Sequence, residues 1–268
     1  MRKIVRLMKN WQFIGPEGNT TPVDLPHTWN AIDGQDGGND YWRGTCVYRT
    51  RFAAPAFEEV SQQVWLQFEG VNASAKVILN GTEVCVHDGG YSTFRANITT
   101  LLREENILTV EVDNCVNDHV YPQKADFTFY GGIYRDVSLL VVHKDHIALG
   151  HYGDTTLCKD HTADIRVETR LEGEGTVRVT LNDAEGNTVA AAEGKDVTMT
   201  LAHPHLWDGV KDPYLYTCVV ELEQGGEVVD TVSTRVGVRS FRVDPKKGFF
   251  LNGRSYPLHG VSRHQDRK

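Results

Sequence analysis

Residues 248–268 read GFFLNGRSYPLHGVSRHQDRK, and this stretch decides the fold expected at the end of the chain. The apolar residues 249–251 lead into Asn252-Gly253. Such a pair between apolar runs predicts a hairpin, because a type I′ turn needs positive φ at both central residues. Residues 257–261 are mostly apolar and predict a short buried strand, which a polar cluster at 262–266 follows directly. Functional side chains at the carboxyl end of a buried strand are typical of α/β barrels.

No helix and no second strand follow this cluster in the sequence. A single parallel strand leaves its backbone N–H and C=O groups without partners. We therefore expect residues 244–268 to be the first hairpin and strand of a truncated (β/α)8 barrel. The chain would then be the N-terminal part of a longer enzyme.

The first part of the chain reads as a series of short strands. Apolar residues alternate with polar ones in 64–69 and 108–113, and residues 76–86 form a hairpin pattern around Asn80-Gly81. Alternation with a period of two predicts half-buried strands, and no stretch carries a long apolar repeat of the helical period. Many short strands punctuated by Gly and Pro predict that residues 1–142 form a jelly-roll β-sandwich.

Residues 143–243 carry the same alternation in 165–171, 177–181 and 216–222. Strands at this spacing, separated by turn signals, predict an immunoglobulin-like β-sandwich. The Cys…Trp…Cys arrangement of antibody domains is absent from the sequence, so only the architecture is predicted. The expected fold class is all-β: a jelly roll, an immunoglobulin-like sandwich and the start of a barrel.

The composition excludes several classes of function. The 268 residues carry a net charge of −8, whereas binding nucleic acid or an anionic membrane surface needs a basic face. The N-terminus has positive charge but no sustained apolar run and no small-residue cleavage site, so we predict no signal peptide and a cytoplasmic protein. The five cysteines are odd in number and lack a CxxC pair, which predicts reduced thiols.

A series of short motifs resembles the N-terminal region of glycoside hydrolase family 2, which contains the β-galactosidases and β-glucuronidases. The matching segments cover essentially the whole chain: LPHTWN at 25–30, FEGV at 68–71, LNG at 79–81, HDGGY at 87–91, GGIYRDV at 131–137, HPHLWD at 203–208, PYLY at 213–216, FLNGR at 250–254 and HGVSRHQD at 259–266. Their order and spacing, followed by the barrel entry, make the resemblance specific.

The resemblance implies a retaining glycosidase most like β-galactosidase, which hydrolyses terminal non-reducing β-D-galactosides. β-Glucuronidase is the nearest alternative within the family. Retention needs two carboxyl groups about 5–5.5 Å apart, and the resemblance implies that both are glutamates on later barrel strands, beyond residue 268. This chain should therefore hold no catalytic residue and no cofactor, and be inactive alone. The resemblance also implies Na⁺ or Mg²⁺ in the full-length enzyme, and a homo-oligomer.

Two residues are candidates for substrate binding by this resemblance. His264 would line the sugar subsite and bond a substrate hydroxyl, which suits an imidazole because it donates at one nitrogen and accepts at the other. Asp126, on a loop ahead of Arg135, would contact sugar hydroxyls and, in some β-galactosidases, a monovalent cation. The alternatives are a structural His at a strand end and a loop Asp that caps a turn.

Other charged residues near these motifs have simpler expected roles. Arg263 should orient neighbouring carboxylates, and Asp266 should do the same or contact sugar. Arg135 reads as a structural arginine that pairs with Asp136 or another nearby carboxylate.

Aromatic and histidine residues outside the two candidates stay ambiguous or are excluded. Tyr41 and Trp42 either stack on sugar faces or are core or interface residues. His203 and His205 lack further Cys or His ligands nearby, and structural zinc wants four ligands at characteristic spacings, so we exclude zinc there.

A second class of function stays open: a free-standing carbohydrate-binding or adaptor module of two sandwiches. Such a module should end soon after Val243. The two hypotheses differ in the chain after Lys246, which should be mobile in an enzyme fragment and packed as a finished element in a module.

Overall fold

The computed structural model describes residues 2–31, 42–121, 129–148, 152–157 and 161–262, and the backbone alone for residues 152–157. Within these ranges the chain forms strands, with a single 3-10 turn at Thr99–Leu101, so the predicted all-β class is confirmed. The described residues contain no helix that is long and apolar enough to cross a membrane. The chain divides into two compact units, residues 3–142 and residues 143–261, and Arg2 belongs to the second.

The first unit is a β-sandwich. Its strands are β1 (Lys3–Arg6), β2 (Trp11–Ile14), β3 (Thr20–Val23), β4 (Thr45–Ala53), β5 (Gln62–Phe68), β6 (Ser74–Leu79), β7 (Thr82–Asp88), β8 (Phe94–Asn97), β9 (Glu105–Asp113) and β10 (Val137–His143). They form a four-stranded sheet, β1-β10-β5-β8, and a six-stranded sheet, β3-β2-β4-β9-β6-β7. Val64 and Leu66 of one sheet and Leu108 and Val110 of the other are fully buried in one core, as the alternation predicts. The jelly-roll connectivity stays a prediction.

The first and last strands of this unit are neighbours. β1 pairs antiparallel with β10, with Lys3 opposite Val141 and Arg6 opposite Ser138. The unit therefore begins and finishes on adjacent strands of the four-stranded sheet.

The predicted hairpin at Asn80-Gly81 is confirmed. Both residues have positive φ, 52° and 88°, and they join β6 to β7. The Asn80 side chain extends from the turn to β9, where it accepts a 2.9 Å hydrogen bond from Ile107 N and donates one to Asn106. Asparagine thus both tolerates the turn and fastens it to β9.

The second unit is a sandwich of smaller sheets. Its strands are β11 (His146–Ile147), β12 (Tyr152–Leu157), β13 (Thr162–Glu168), β14 (Leu171–Glu172), β15 (Thr176–Asn182), β16 (Thr188–Glu193), β17 (Asp196–Ala202), β18 (Tyr216–Gln224), β19 (Glu227–Val236), β20 (Phe241–Asp244), β21 (Gly248–Leu251) and β22 (Arg254–Ser255). The main sheets are β12-β13-β17 and β16-β15-β18-β19, with the pair β11-β14 and the small sheet β20-β21-β22 beside them. Ile165 and Val167 of one sheet share a core with Val179 and Val220 of the other.

A buried carboxylate ties three parts of the second unit together. Asp230 on β19 has a side chain that is only 1% exposed. It accepts hydrogen bonds from the Arg2 guanidinium at 2.9–3.1 Å and from Ile147 N at 2.8 Å. Arg2 also donates to the carbonyl oxygen of Ile147. The donors of Arg2 and Ile147 thus compensate the desolvation of the buried carboxylate.

The hairpin at Asn252-Gly253 forms as predicted, with φ of 49° and 77°, but it packs on the second unit. Asn252 Nδ2 donates to Trp207 O at 3.1 Å, and Arg254 pairs with Asp208 at 2.6 Å. Residues 244–255 thus belong to the compact unit before them, because turn side chains bond to the 207–208 loop. This packing is what the module hypothesis expects.

The strand predicted for residues 257–261 is not formed. These residues have no strand partner in the described chain, and Leu258 and Val261 are 70% and 95% exposed. A parallel strand is stable only where neighbouring strands satisfy its backbone and helices cover it.

The described cysteines are free thiols. Cys46 and Cys218 are buried, Cys85 is half-buried and Cys115 is exposed. Burial raises the pKa of Cys46 to about 12 and that of Cys218 to about 11, which keeps both protonated. Cys158 lies outside the described residues.

Candidate functional site

Several of the first unit's motifs, those at 25–30, 68–71, 87–91 and 131–137, come together through buried asparagine side chains, and the first of these is Asn30. Its Oδ1 accepts hydrogen bonds from Gly131 N at 2.8 Å and from Asn114 Nδ2 at 3.1 Å, and its Nδ2 donates to Trp42 O at 2.9 Å. Thr28 Oγ1 completes the contact by donating to Gly131 O at 2.7 Å. Segments far apart in sequence are therefore joined through one amide.

Asn114 connects this network to the six-stranded sheet. It follows β9 directly, and its Oδ1 accepts a 2.9 Å hydrogen bond from Gly44 N just before β4. Since β4 and β9 pair along their whole length, Asn114 stands on a rigid base. A Cβ at Gly131 would lie 2.6 Å from Asn114 Nδ2 and 2.3 Å from the Trp29 ring, so only glycine fits there.

A third buried amide, Asn72, holds the same segment from the other side. Its Nδ2 donates to Tyr130 O at 2.9 Å, and its backbone exchanges two 3.1 Å hydrogen bonds with Gly132. A Cβ at Gly90 would lie 2.4 Å from Asn72 Oδ1, so the Gly89-Gly90 turn is close-packed against it. We call Asn30, Asn72 and Asn114 the amide triad.

Aromatic rings pack beneath the triad. Trp29 lies 6.0 Å from both Phe13 and Trp42, and Tyr48 is fully buried with its hydroxyl 2.7 Å from His27 Nδ1. Burial lowers the pKa of His27 and raises that of Tyr48, so both stay neutral. Trp42 therefore packs against the core on one face and is about a third exposed on the other, whereas Tyr41 lies outside the described residues.

Tyrosine and histidine side chains form the rim of this end. Tyr134 donates to Gly90 O and packs edge-on against Tyr91, whose centroid is 6.5 Å away and which is half exposed. His119 lies 3.6 Å from Asp88 and joins the 117–121 loop to the end of β7. Exposed rings beside hydrogen-bonding groups suit a ligand with one apolar face and polar edges.

Arg135 is structural in its contacts, but its partners differ from those predicted. Its Nη1 donates to the carbonyl oxygens of Tyr91 at 3.3 Å and Glu69 at 3.5 Å. Asp136 pairs with Arg6 at 3.6 Å instead. Arg135 and Asp136 lie in the segment just before β10, and their side chains have separate partners there.

The two predicted sugar-contacting residues, Asp126 and His264, lie outside the described residues, as do Arg263 and Asp266. Their roles stay predictions, and so does the cation at Asp126. What the structure describes is the chain on either side of Asp126, ending at Tyr121 and resuming at residue 129.

The amide triad was missed by sequence reasoning. Its signal was present, because Asn30 ends the LPHTWN motif and Asn72 directly follows FEGV. An asparagine in or beside a motif gives no sign of its partners, whereas the contact between a buried amide and a distant glycine is visible only in three dimensions.

The histidines at 203 and 205 show no metal arrangement. His205 Nε2 lies 2.8 Å from Asp212 Oδ2, and its ring stacks on Tyr214 at 3.9 Å between centroids. Within the described residues, no group of three or more His, Cys, Asp or Glu side chains could hold a metal ion.

Comparisons with known families and proteins agree with the resemblance. A model described as glycosyl hydrolases family 2, sugar binding domain, matches residues 19–143, and one described as glycosyl hydrolases family 2 matches residues 146–239. A β-glucuronidase of Bacteroides fragilis is 34% identical over 99% of this chain and 42% of its own length. A β-galactosidase of Bacteroides ovatus is 33% identical over 91% of this chain and 31% of its own.

Solved structures give the same result. An FMN-binding β-glucuronidase from Facaelibacterium prausnitzii L2-6 superposes with a TM-score of 0.93 at 37% identity, covering 99% of this chain and 44% of that one. A β-glucuronidase from Ruminococcus gnavus in complex with D-glucuronic acid superposes with a TM-score of 0.84 at 27% identity, covering 97% and 50%. This chain thus spans half or less of each of these relatives. It belongs to glycoside hydrolase family 2 and corresponds to the N-terminal region of its enzymes.

Proposed function

We propose that this chain is the substrate-facing, non-catalytic part of a retaining β-glycosidase. Its family is that of glycoside hydrolases, and the relatives that it matches are at least twice as long. In the proposed enzyme, both catalytic glutamates lie on a barrel beyond residue 268. One protonates the leaving oxygen and the other attacks the sugar, which needs carboxyl groups about 5–5.5 Å apart.

The observation that carries this proposal is the amide triad. Asn30 and Asn72 fix Tyr130 and Gly131, a few residues after Asp126, to two separate loops. A carboxylate that binds sugar hydroxyls needs such support, because loose positioning of a substrate contact costs rate steeply. Asp126 is proposed to accept hydrogen bonds from the sugar and to contact a monovalent cation, and His264 to bond a second hydroxyl.

β-D-Galactosides are the first candidate substrates, from the motifs in the sequence. β-D-Glucuronides are the second, because relatives at 34% and 37% identity are β-glucuronidases. The 4-nitrophenyl β-D-galactoside and β-D-glucuronide distinguish the two in the complete enzyme, through the ratio of their kcat/KM values. Turnover of neither would contradict the proposal.

The role of Asp126 is tested in the same enzyme with D126N. We expect KM for the preferred glycoside to rise about tenfold, since a lost hydrogen bond to a charged group is worth about 1.5–3 kcal/mol. Asp183, which caps a surface turn in the second unit, gives the matched control D183N. Equal kinetics for D126N and the parent would contradict a sugar-contacting Asp126.

The isolated chain provides a separate test. With both glutamates elsewhere, residues 1–268 should show no turnover of either glycoside above buffer. Measurable turnover that survives repurification would contradict the assignment of the glutamates to a barrel beyond this chain.

A further inference from the structure

A groove of 440 Å³ opens on the face of the six-stranded sheet that points away from the core. The strand register explains its lining. Gln12 pairs with Arg49, Arg49 with Thr109, and Arg51 with Ile107. These side chains therefore lie in two adjacent rows on one face, while their neighbours on β4 point into the core.

The depression exists because β2 begins only at Trp11, opposite the middle of β4. β2 pairs with β4 only at residues 47–49, and Asn10, just before it, turns away with a φ of 61°. Thr50 Oγ1 fixes this departure by donating to Asn10 O at 3.1 Å. The strand edge beyond Arg49 is left uncovered, and Asn10 forms the end wall.

The two arginines of the groove carry charge that the described residues do not neutralise. Arg49 Nε donates to Thr109 Oγ1 at 3.3 Å, and neither Arg49 nor Arg51 lies in an ion pair within the described residues. Lys9 and Lys76 of the same unit, by contrast, each pair with a carboxylate at 2.8–2.9 Å. Two adjacent guanidiniums thus stay available on a protein whose net charge is −8.

The chemistry of the lining points to one kind of ligand. Guanidinium groups bind carboxylates through paired N–H donors, and side chains two residues apart on a strand stand about 7 Å apart. The amides of Asn10 and Gln12 and the hydroxyl of Thr109 both donate and accept, as sugar hydroxyls require. The volume lies within the range of about 300–1,000 Å³ that is usual for small-molecule sites.

We propose that this groove, the Arg49–Arg51 groove, binds an acidic saccharide. The sugar carboxylate sits on the two guanidiniums, and its hydroxyls bond the side chains of Asn10, Gln12 and Thr109. The inference goes beyond the proposed glycosidase activity. Because binding is measured without turnover, its result does not depend on whether the proposed glycosidase activity is correct.

Affinity electrophoresis of the full chain in native gels tests this site. Alginate in the gel supplies a polyuronate, dextran a neutral polymer and dextran sulfate a sulfate ester. We expect alginate, and not dextran, to retard the protein. Replacing both arginines, R49A/R51A, should weaken binding by about tenfold for each guanidinium removed.

The matched control is R170A/R235A, which removes the same charge from exposed positions in the second unit and should migrate in alginate as the parent does. Thermal melts of both variants verify that each is folded. Equal retardation of R49A/R51A and the parent, or retardation by dextran sulfate alone, would overturn the proposal. So would sedimentation showing that R49A/R51A converts a dimer to a monomer, because the groove would then be covered by a second copy.

Discussion

Buried amides are the residues on which the candidate site depends most. Asn30 satisfies Gly131 N, Asn114 Nδ2 and Trp42 O at once. N30A should lower the free energy of unfolding of the first unit by about 2–4 kcal/mol, because it leaves buried donors and an acceptor without partners. Chemical denaturation of the chain measures this.

Asn19 offers a comparison for that experiment, since it is exposed and, among the residues that the structure describes, its side chain bonds Glu17 alone. N19A should leave the denaturation midpoint close to that of the parent. An equal shift of the denaturation midpoint in N30A and N19A would show that the buried amide adds no more stability than an exposed one.

His27 gives the first unit a pH dependence with a defined sign. Burial lowers its pKa below the ordinary value of 6.5. The unfolded chain therefore binds a proton more readily than the folded one, and stability falls as pH drops below 6.5 towards the folded pKa. H27Q should lose less stability than the parent between about pH 7.5 and about pH 5.5 in thermal melts.

The exposed His259 is the control for this titration. H259Q should show the same loss of stability with falling pH as the parent. A parental pH slope in H27Q would assign the acid sensitivity to another group.

At the scale of elements, the terminal hairpin depends on one asparagine. Asn252 combines a φ of 49° with bonds to Trp207 O and from Ser240 N. N252G keeps the backbone conformation and loses the bonds, whereas N252A loses both. We expect trypsin to cut at Arg254 fastest in N252A, more slowly in N252G and slowest in the parent, as followed by mass spectrometry. Equal rates in all three would show that the hairpin is held by something other than its turn.

The sequence predicts those elements whose conformation is determined by neighbouring residues in the chain. Strands β5, β9, β13, β15 and β18 were predicted because each alternates buried and exposed side chains within a few residues, and two hairpins because Asn-Gly encodes a backbone shape. Residues 257–261 carry a strand composition but lack neighbours to pair with, and composition alone does not supply them. The long-range hydrogen bonds of the amide triad join segments that are 58 to 101 residues apart, and no local sequence pattern predicts such a contact.

At the scale of the whole molecule, each unit has its own core and its own long-range tie. In the second unit this is the Arg2–Asp230 pair, which spans almost the entire sequence. Removing Arg2 leaves a buried carboxylate without its cation, which typically costs about 3 kcal/mol or more. R2A should therefore lower the melting temperature of the second unit in calorimetry. K3A should not, because the neighbouring Lys3 is exposed and forms no ion pair within the described part of the chain. An unchanged melting temperature in R2A would show that the ion pair adds nothing.

The pairing of β1 with β10 has a consequence for protein engineering. Lys3 pairs with Val141, so the two ends of the first sandwich are separated by a single interstrand spacing of about 5 Å. A short peptide could join these two points, and new termini could be opened in the exposed turn at residues 16–18, between β2 and β3. The first sandwich is therefore suited to circular permutation and to insertion into another host protein.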